Sequence, residues 1–194
     1  MRTDLDDATR GEALAMLSPL EVARYDATPS AGRDRFLAGR LLLRRLVAEV
    51  TGEAAASITV VAMCPDCGGP HGRPKVPGLH VSLSHGDGVV VAAASRTLVG
   101  IDIEPAEQSA ERLAAIAEVA GAEVAGAEGA GGGDVTRWTR VEAILKADGR
   151  GLRVDPRTVR TDGGIGFVED RPERYKLSEI ELAPGVTISL AEAF

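Results

Sequence analysis

The sequence predicts an α+β protein of two pseudo-symmetric lobes, each a long helix packed on a small antiparallel sheet. Two amphipathic helix patterns, in residues 34–52 and 135–151, are each followed by short β-rich runs. A change of composition after Pro105 separates the halves, so we place the lobes at residues 1–105 and 106–194. No residue-level repeat relates them. We expect one compact unit with a ligand cleft between the lobes, because such interfaces favour binding.

The first half predicts two helices followed by strands. In SPLEVARY, Ser18 can cap a helix, Pro19 suits its first turn and Glu21 completes a capping box. DRFLAGRLLLRRLVAEVTG has an apolar stripe with its arginines mostly on the other face, and Gly52 ends this helix. SITVVAM follows as a strand and CPDCGGPHGRPKVPG as a loop. LHVSLS, VVVAAAS and LVGIDIE then predict a three-stranded meander.

The second half begins with an Ala- and Gly-rich segment, residues 106–134. Its first part has a helical pattern, whereas the second has too few bulky side chains to be held against a core, so we expect it to be mobile. In VTRWTRVEAILKADGRG, four apolar residues recur at helical spacing, Trp138, Val141, Ile144 and Leu145. IGFVED, RYKLSEIELAPG and VTISLAEAF complete the chain as strands.

Composition and charge exclude several classes of protein. Of the 194 residues, 44% are hydrophobic and 26% charged, which is ordinary for a globular protein. The net charge of −7 opposes a general surface for nucleic acid or anionic membranes. No stretch approaches the roughly 18 apolar residues of a membrane span, and the acidic N-terminus does not resemble a signal peptide. We therefore expect a cytoplasmic protein that binds neither nucleic acid nor membrane.

Two acidic residues interrupt the apolar run VGIDIE. Residues two apart in a strand point to one face, so Asp102 and Glu104 project together, with Cα atoms roughly 7 Å apart. Their carboxylates are close enough to share a divalent cation. The alternative, which this hexapeptide alone favours, is an amphipathic strand with a solvated acidic face.

Other polar motifs have an ordinary interpretation when each is taken alone. Glu142 and Lys146, four apart on one helix face, are typical of a surface ion pair. Ser84 and His85 either bind a phosphate at a strand end or form a solvated turn. Five arginines in residues 31–50 suit either an anionic ligand or the solvent face of a helix: Arg33, Arg35, Arg40, Arg44 and Arg45.

Taken together, the order and spacing of these motifs favour a single interpretation. GRDRFLAGRLLLRR, GRP, SLSH, VGIDIE and WTRVEAILKADGRGL follow one another along the chain. This series resembles the Sfp-type 4′-phosphopantetheinyl transferases. Their signature combines Gly-Lys/Arg-Pro, Ser-His after a strand, Gly-Val/Ile-Asp-x-Glu, and Trp-Ser/Thr-x-x-Glu-x-x-x-Lys followed by Gly-x-Gly-Leu. The resemblance covers residues 18–152, and its last two motifs are the specific ones.

The resemblance implies the fold of that family and an enzyme that uses coenzyme A as co-substrate. Such an enzyme transfers the 4′-phosphopantetheine arm to a serine of an acyl or peptidyl carrier protein and releases adenosine 3′,5′-bisphosphate. By the same resemblance, Asp102, Glu104 and Glu142 bind Mg²⁺, for which oxygen ligands are suited. A cation is needed there, since two like charges 4 Å apart repel by roughly 4 kcal/mol at an effective dielectric of 20. The implied catalytic residues are Asp102, Glu142 as proton acceptor, and Lys146 at the departing phosphate.

The resemblance also assigns contacts to coenzyme A. In the family, the Ser-His motif contacts the phosphates, the basic residue of Gly-Lys/Arg-Pro lies at the nucleotide, and arginines of the first long helix reach the 3′-phosphate. The residues assigned here are Arg33, Arg40, Arg73, Ser84, His85 and Lys146. Arg40 matches the family best, and Arg35 is the alternative to Arg33.

The sequence departs from the family at two places. Val141 stands where many relatives have a lysine, so an accessory basic group is missing. The segment between the two acidic motifs often carries aromatic residues that meet the carrier protein, and here it is the Ala/Gly run.

Two alternatives to this enzyme remain. A non-catalytic module that binds coenzyme A or a nucleotide has no need for three acids beside a polyphosphate. The short holo-acyl-carrier-protein synthases are trimers, whereas two lobes in one chain favour a monomer.

Richness in Ala, Gly and Arg with only three lysines indicates a high-GC genome, where such enzymes often serve polyketide or nonribosomal peptide biosynthesis; fatty-acid synthesis is also open.

The loop CPDCGGPH contains Cys64, Cys67 and His71, residue types that bind zinc. A structural zinc site has four ligands, and no second CxxC follows. We therefore favour a loop with two reduced cysteines, as is usual for a cytoplasmic protein, and structural zinc is the alternative.

Overall fold

The computed structural model describes residues 1–86, 88–120, 132–182 and 184–194. These residues form five α-helices and two antiparallel sheets, which confirms the predicted α+β class. The chain divides into two compact units, Met1–Arg96 and Thr97–Phe194, called here unit 1 and unit 2. No helix in the described ranges combines the length and apolar character needed to span a membrane.

Unit 1 packs three helices with a two-stranded sheet. Its elements are α1 (Asp7–Ala15), α2 (Pro19–Asp26), α3 (Ser30–Thr51), β1 (His80–Gly86) and β2 (Val89–Ser95). The long helix α3 packs against both strands and against α1 and α2. The predicted capping box is present at the start of α2, where Ser18 and Glu21 exchange side-chain and backbone hydrogen bonds. Helix α3 ends at Gly52, whose φ of 78° is the left-handed conformation that glycine adopts readily.

Unit 2 packs two helices with a five-stranded sheet. Its elements are β3 (Val99–Pro105), α4 (Ala110–Ala120), α5 (Gly132–Asp148), β4 (Val159–Asp162), β5 (Ile165–Val168), β6 (Tyr175–Glu179) and β7 (Val186–Ala193). The strand order is β3-β7-β6-β5-β4. Helix α5 packs across β3, β7 and β5. The predicted apolar stripe of α5 is confirmed, since Trp138, Val141, Ile144 and Leu145 are all buried.

The position of β3 differs from the predicted meander. This strand pairs with β7, so that Gly100 lies opposite Ala191 and Asp102 opposite Ser189. It therefore belongs to unit 2, and the division between the units falls after Arg96 rather than after residue 105. The two sheets are consequently unequal, with two and five strands. Local β-propensity predicts that β3 is a strand, but the partner strand comes from the far end of the chain.

Two further predicted segments differ from the structure or lie outside it. SITVVAM forms no extended strand, and only Val61 makes a β-bridge, to Lys75. The first part of the Ala- and Gly-rich segment is helical in α4, as its pattern predicts. Residues 121–131, on which the prediction of mobility falls, lie outside the described residues.

Helix α5 approaches β3 closely at Gly100. A Cβ atom at Gly100 would lie 1.9 Å from the Ala143 carbonyl oxygen and 2.5 Å from the Ala147 nitrogen. Only glycine fits this crossing. Because side chains alternate along a strand, Asp102 and Glu104 share the face that Gly100 turns towards α5.

Candidate functional site

Helix α5 and strand β3 bring three of the predicted site residues into contact. Lys146 Nζ donates a hydrogen bond to Asp102 Oδ1 at 2.5 Å, and it lies 3.8 Å from Glu142 Oε2. The negative charge of Asp102 also acts on Glu142. Asp102 is buried, whereas the side chains of Lys146 and Glu142 are partly exposed, so the contact lies at the edge of the core. Residues 44 positions apart in the sequence thus form one charged group.

Glu104 lies on the same strand face but has other partners. Its carboxylate accepts hydrogen bonds from Arg112 NH2 at 2.8 Å and from Gln108 Nε2 at 3.1 Å. Neither partner was predicted, because nothing in the local sequence indicates that α4 returns to the end of β3. In the described part of the chain, the three carboxylates do not bring one oxygen each within 4.8 Å of the others. Glu104 therefore borders the Asp102–Glu142 contact rather than joining it.

The electrostatic environment of Glu142 is unfavourable for its charged form. Burial is the largest cause of a rise in its pKa, and the negative charge of Asp102 is the next. Lys146 opposes the rise, Glu104 adds to it, and the result is a pKa of about 7. Two carboxylates share one ammonium group, so the site has excess negative charge. Carboxylate oxygens with excess negative charge fit a hard divalent cation such as Mg²⁺.

A buried hydroxyl pair fixes the helix behind this group. Thr139 Oγ1 and Ser189 Oγ lie 2.8 Å apart, and both residues are fully buried. Ser189 is the β7 residue directly opposite Asp102, so the pair ties α5 to the sheet at the level of the acids. Thr139 stands at the Ser/Thr position of the Trp-Ser/Thr-x-x-Glu motif. In this protein a hydroxyl at that position makes the hydrogen bond to Ser189.

Unit 1 contains a second charged group, around the buried carboxylate of Glu21. Arg44 donates to both of its oxygens, at 3.1 and 2.6 Å, and Arg40 Nε lies 3.1 Å from Oε1. Burial raises the pKa of Glu21, but the hydrogen bonds from Arg44 and Ser18 and the charges of both arginines outweigh it, so its pKa is lowered. Burial lowers the pKa of Arg40, and the Arg44 charge adds to this effect against the opposing charge of Glu21. One carboxylate thus serves two guanidinium groups.

Arg40 and His85 line a cavity in unit 1. This cavity has a volume of about 240 Å³, and Arg24, Phe36 and His71 also contribute to its wall. Gly39 makes room for the imidazole, since a Cβ at this position would lie 3.2 Å from His85 Nε2. Because Arg40 and Arg44 share a single buried carboxylate, the positive charge at this cavity is not fully neutralised. The cavity is therefore suited to an anion.

Four residues assigned to coenzyme A by the resemblance do not line this cavity, and one of them, Lys146, belongs to unit 2. Arg33 donates to the backbone oxygens of residues 26 and 28 and lies over the Tyr25 ring at 4.9 Å. Arg73 donates to the Val81 carbonyl at 3.1 Å. Ser84 is buried, because it points to the opposite face of β1 from His85. The cavity thus includes Arg40 and His85 of the predicted set.

Sequence reasoning did not identify Glu21 as the counter-ion of the α3 arginines. It assigned this residue only to the capping box, a role that it also has. Arg40 and Arg44 are four apart and so lie on one helix face, which is the available signal that they share an anion. The anion itself comes from α2, 23 residues before Arg44, and no local pattern indicates it.

No protein-family model matches the sequence, and a search of curated proteins likewise finds no match. The candidate site is therefore defined by geometry. In unit 2, Asp102, Glu142 and Lys146 form a group that can hold a cation and accept a proton. In unit 1, Arg40 and His85 line a cavity that can take an anion.

Proposed function

We propose that this protein is a 4′-phosphopantetheinyl transferase of the Sfp type, with the fold of that family. One observation supports it above the others: Glu142 of a helix meets Asp102 of a distant strand, with Lys146 bound between them. These are the residues that the two most specific motifs of the resemblance single out. The contact requires the long-range packing of α5 on β3, which a chance match of two short motifs would not produce.

The proposed reaction transfers a phosphoryl-linked arm from coenzyme A to a carrier protein. The serine oxygen forms a bond to the phosphorus next to the pantetheine arm. The bond from that phosphorus to the bridging oxygen breaks, and adenosine 3′,5′-bisphosphate leaves. Glu142 accepts the serine proton, directly or through water, as a general base.

The other residues of this group position charge. Asp102 and Glu142 would hold Mg²⁺, and Glu104 would complete the set of carboxylates once it leaves Arg112 and Gln108. The bound ion would neutralise charge on the phosphate oxygens. Lys146 offsets the negative charge that develops on the departing bisphosphate. Asp102 fixes the ammonium group of Lys146 through the 2.5 Å hydrogen bond.

The cavity of unit 1 supports the coenzyme A part of the proposal. Coenzyme A carries several phosphate charges, and the cavity offers the guanidinium of Arg40 and the imidazole of His85. Arg40 is held by burial and by Glu21, so little conformational entropy is lost when it binds an anion. We propose that this cavity takes a phosphate group of the co-substrate, in a cytoplasmic and monomeric enzyme.

Intact-mass measurement tests the activity. Apo acyl and peptidyl carrier proteins from polyketide, nonribosomal peptide and fatty-acid pathways are incubated with the protein, coenzyme A and Mg²⁺. We expect at least one carrier to gain the mass of one phosphopantetheine group. The Glu142→Gln variant is expected to lose transfer, because it cannot accept the proton. The matched control is Glu118→Gln, which changes an exposed helix residue of the same unit.

Coenzyme A binding, measured by calorimetry, separates the transferase from a non-catalytic module. The His85→Ala variant should bind coenzyme A more weakly, since this exposed residue lines the cavity without supporting the core. Tight binding with no mass gain on any carrier would favour the binding module. A folded Glu142→Gln variant with full transfer activity would refute the role of this residue as base.

A further inference from the structure

Residues 61–75 of unit 1 form a loop that is closed by backbone hydrogen bonds. Val61 and Lys75 exchange two of them, at 3.0 and 2.7 Å. Further along, the Gly72 N–H donates to the Ala62 carbonyl at 2.8 Å, and the Cys64 N–H donates to the Gly69 carbonyl at 2.8 Å. This base holds the two ends of CPDCGGPH together. The side chains of the loop are therefore brought close by its backbone.

Three side chains of this loop meet at one point. One ligand atom from each of Cys64, Cys67 and His71 lies within 4.8 Å of the others, and Cys67 Sγ is 2.9 Å from His71 Nε2. For comparison, Zn–S bonds of 2.3 Å and Zn–N bonds of about 2.0 Å in a tetrahedral site place neighbouring ligand atoms about 3.5–3.8 Å apart. A small adjustment of side chains would therefore bring the three atoms to the spacing of zinc ligands.

A backbone donor points at one of the cysteine sulfurs. The Gly69 N–H donates to Cys67 Sγ at 3.4 Å. Such outer-shell hydrogen bonds orient metal ligands.

Gly69 leaves room for two of these side chains. A Cβ at this position would lie 3.0 Å from His71 Cδ2 and 3.3 Å from Cys67 Sγ. A larger residue would thus press on two of the three ligand side chains. The preceding Gly68 has φ of 71°, which lets the chain turn between the two cysteine sulfurs and His71.

We propose that Cys64, Cys67 and His71 bind one zinc ion, with water at the fourth position. Two sulfur ligands and one imidazole select zinc over Mg²⁺ or Ca²⁺, which prefer oxygen. The fourth position is open to water because Cys67 and His71 are exposed. On binding, each thiol releases its proton to solvent, so the two cysteines bind as thiolates and His71 as neutral imidazole.

The proposed ion would order one wall of the anion cavity. His71 lines that cavity together with its neighbours Pro70 and Gly72, and Arg40 and His85 line it as well. A zinc ion that fixes the His71 ring would fix this wall as well. The inference does not depend on the proposed transferase activity, because metal content and affinity are measured on the protein alone.

Metal analysis of the full-length protein tests the proposal. The protein is purified under reducing conditions, stripped with a chelator, reloaded with Zn²⁺ and freed of excess metal. We expect one zinc ion per chain. Co²⁺ in place of Zn²⁺ should give thiolate-to-metal charge-transfer absorption together with the intense visible bands of a four-coordinate ion.

Four single variants distinguish this site from adventitious binding. Cys64→Ser, Cys67→Ser and His71→Asn should each weaken zinc affinity by at least about 100-fold, since outer-shell changes alone cost 10- to 100-fold. His80→Asn is the matched control, because it removes an exposed histidine of the same unit and should leave the affinity unchanged. Far-ultraviolet circular dichroism shows that each variant is folded. Reduced wild-type protein that binds no zinc, or Cys64→Ser protein that binds it as tightly as the wild type, would overturn the proposal.

Discussion

Replacing Glu142 by glutamine should make the folded protein more stable at alkaline pH, in the absence of divalent cations. The pKa of Glu142 rises from the ordinary value of 4.5 to about 7, chiefly because of burial and then because of Asp102. Below pH 4.5 the carboxyl group is protonated in both the folded and the unfolded protein, so its titration does not change the free energy of unfolding. Between 4.5 and 7 the folded protein retains a proton that the unfolded chain releases, and the free energy of unfolding falls as pH rises. Above pH 7 the carboxyl group is charged in both states, and the free energy of unfolding falls no further through it.

The size of the effect follows from the two pKa values. Each tenfold change in acidity is worth about 1.4 kcal/mol, so the loss of stability between pH 4.5 and 8 is at most about 3 kcal/mol. The side chain is 23% exposed, so solvent screens the interaction only in part. Glutamine has nearly the same shape and no charge to desolvate. The Glu142→Gln variant should therefore gain up to about 3 kcal/mol over the wild type at pH 8 and almost nothing at pH 4.5.

Tryptophan fluorescence during urea unfolding measures this effect in the right part of the molecule. Trp138 is the only tryptophan in the chain, and it is buried in the same core that supports Glu142 on α5. Its emission therefore reports the unfolding of unit 2. Unfolding curves at pH 5, 6, 7 and 8 with a chelator present give the difference in unfolding free energy between variant and wild type at each pH.

The control for this experiment is Glu118→Gln, an exposed glutamate on α4. Its stability should follow that of the wild type at every pH, because other titrating groups are common to both proteins. A constant difference between Glu142→Gln and the wild type from pH 5 to 8 would refute the reasoning. That result would mean that Glu142 is charged at pH 5 in the folded protein and is not held against Asp102.

Two further substitutions test the packing that forms the charged groups. Gly100→Ala should destabilise unit 2 by about 3 kcal/mol or more, because the added methyl group would meet the backbone of α5, whereas Gly11→Ala, with nothing within 4 Å, should be neutral or slightly stabilising. Thermal unfolding of both variants measures this, and an equally small effect at the two sites would contradict the close approach of α5 to β3. Glu21→Gln retains the capping box but leaves Arg44 without its buried counter-charge, so it should cost about 3–5 kcal/mol. Glu12→Gln, in an exposed pair, should cost at most about 1 kcal/mol in a urea titration followed by far-ultraviolet circular dichroism, and comparable losses in the two variants would argue against a buried carboxylate at Glu21.

Local patterns in the sequence were sufficient to predict many of the elements. The capping box at Ser18, the helix end at Gly52 and the apolar stripe of α5 were read correctly, since each depends on neighbours within a few residues. Alternation along a strand was also sufficient to place Asp102 and Glu104 on one face. The prediction of an extended strand at SITVVAM was wrong, because a segment of high β-propensity forms a strand only when a partner strand pairs with it along its length.

Tertiary structure decided which of the charged residues meet. The hydrogen bond between Lys146 and Asp102 exists because Gly100 lets α5 lie against β3, and the partner strand that places β3 there is the last one in the chain. The ion pairs of Glu21 with the α3 arginines likewise depend on how α2 folds back. Such contacts join residues far apart in sequence, and their energies depend on burial, which no local pattern contains. Residue spacing could therefore predict the types of group in the candidate site, and only the packed protein could set their partners, their charges and the pKa of Glu142.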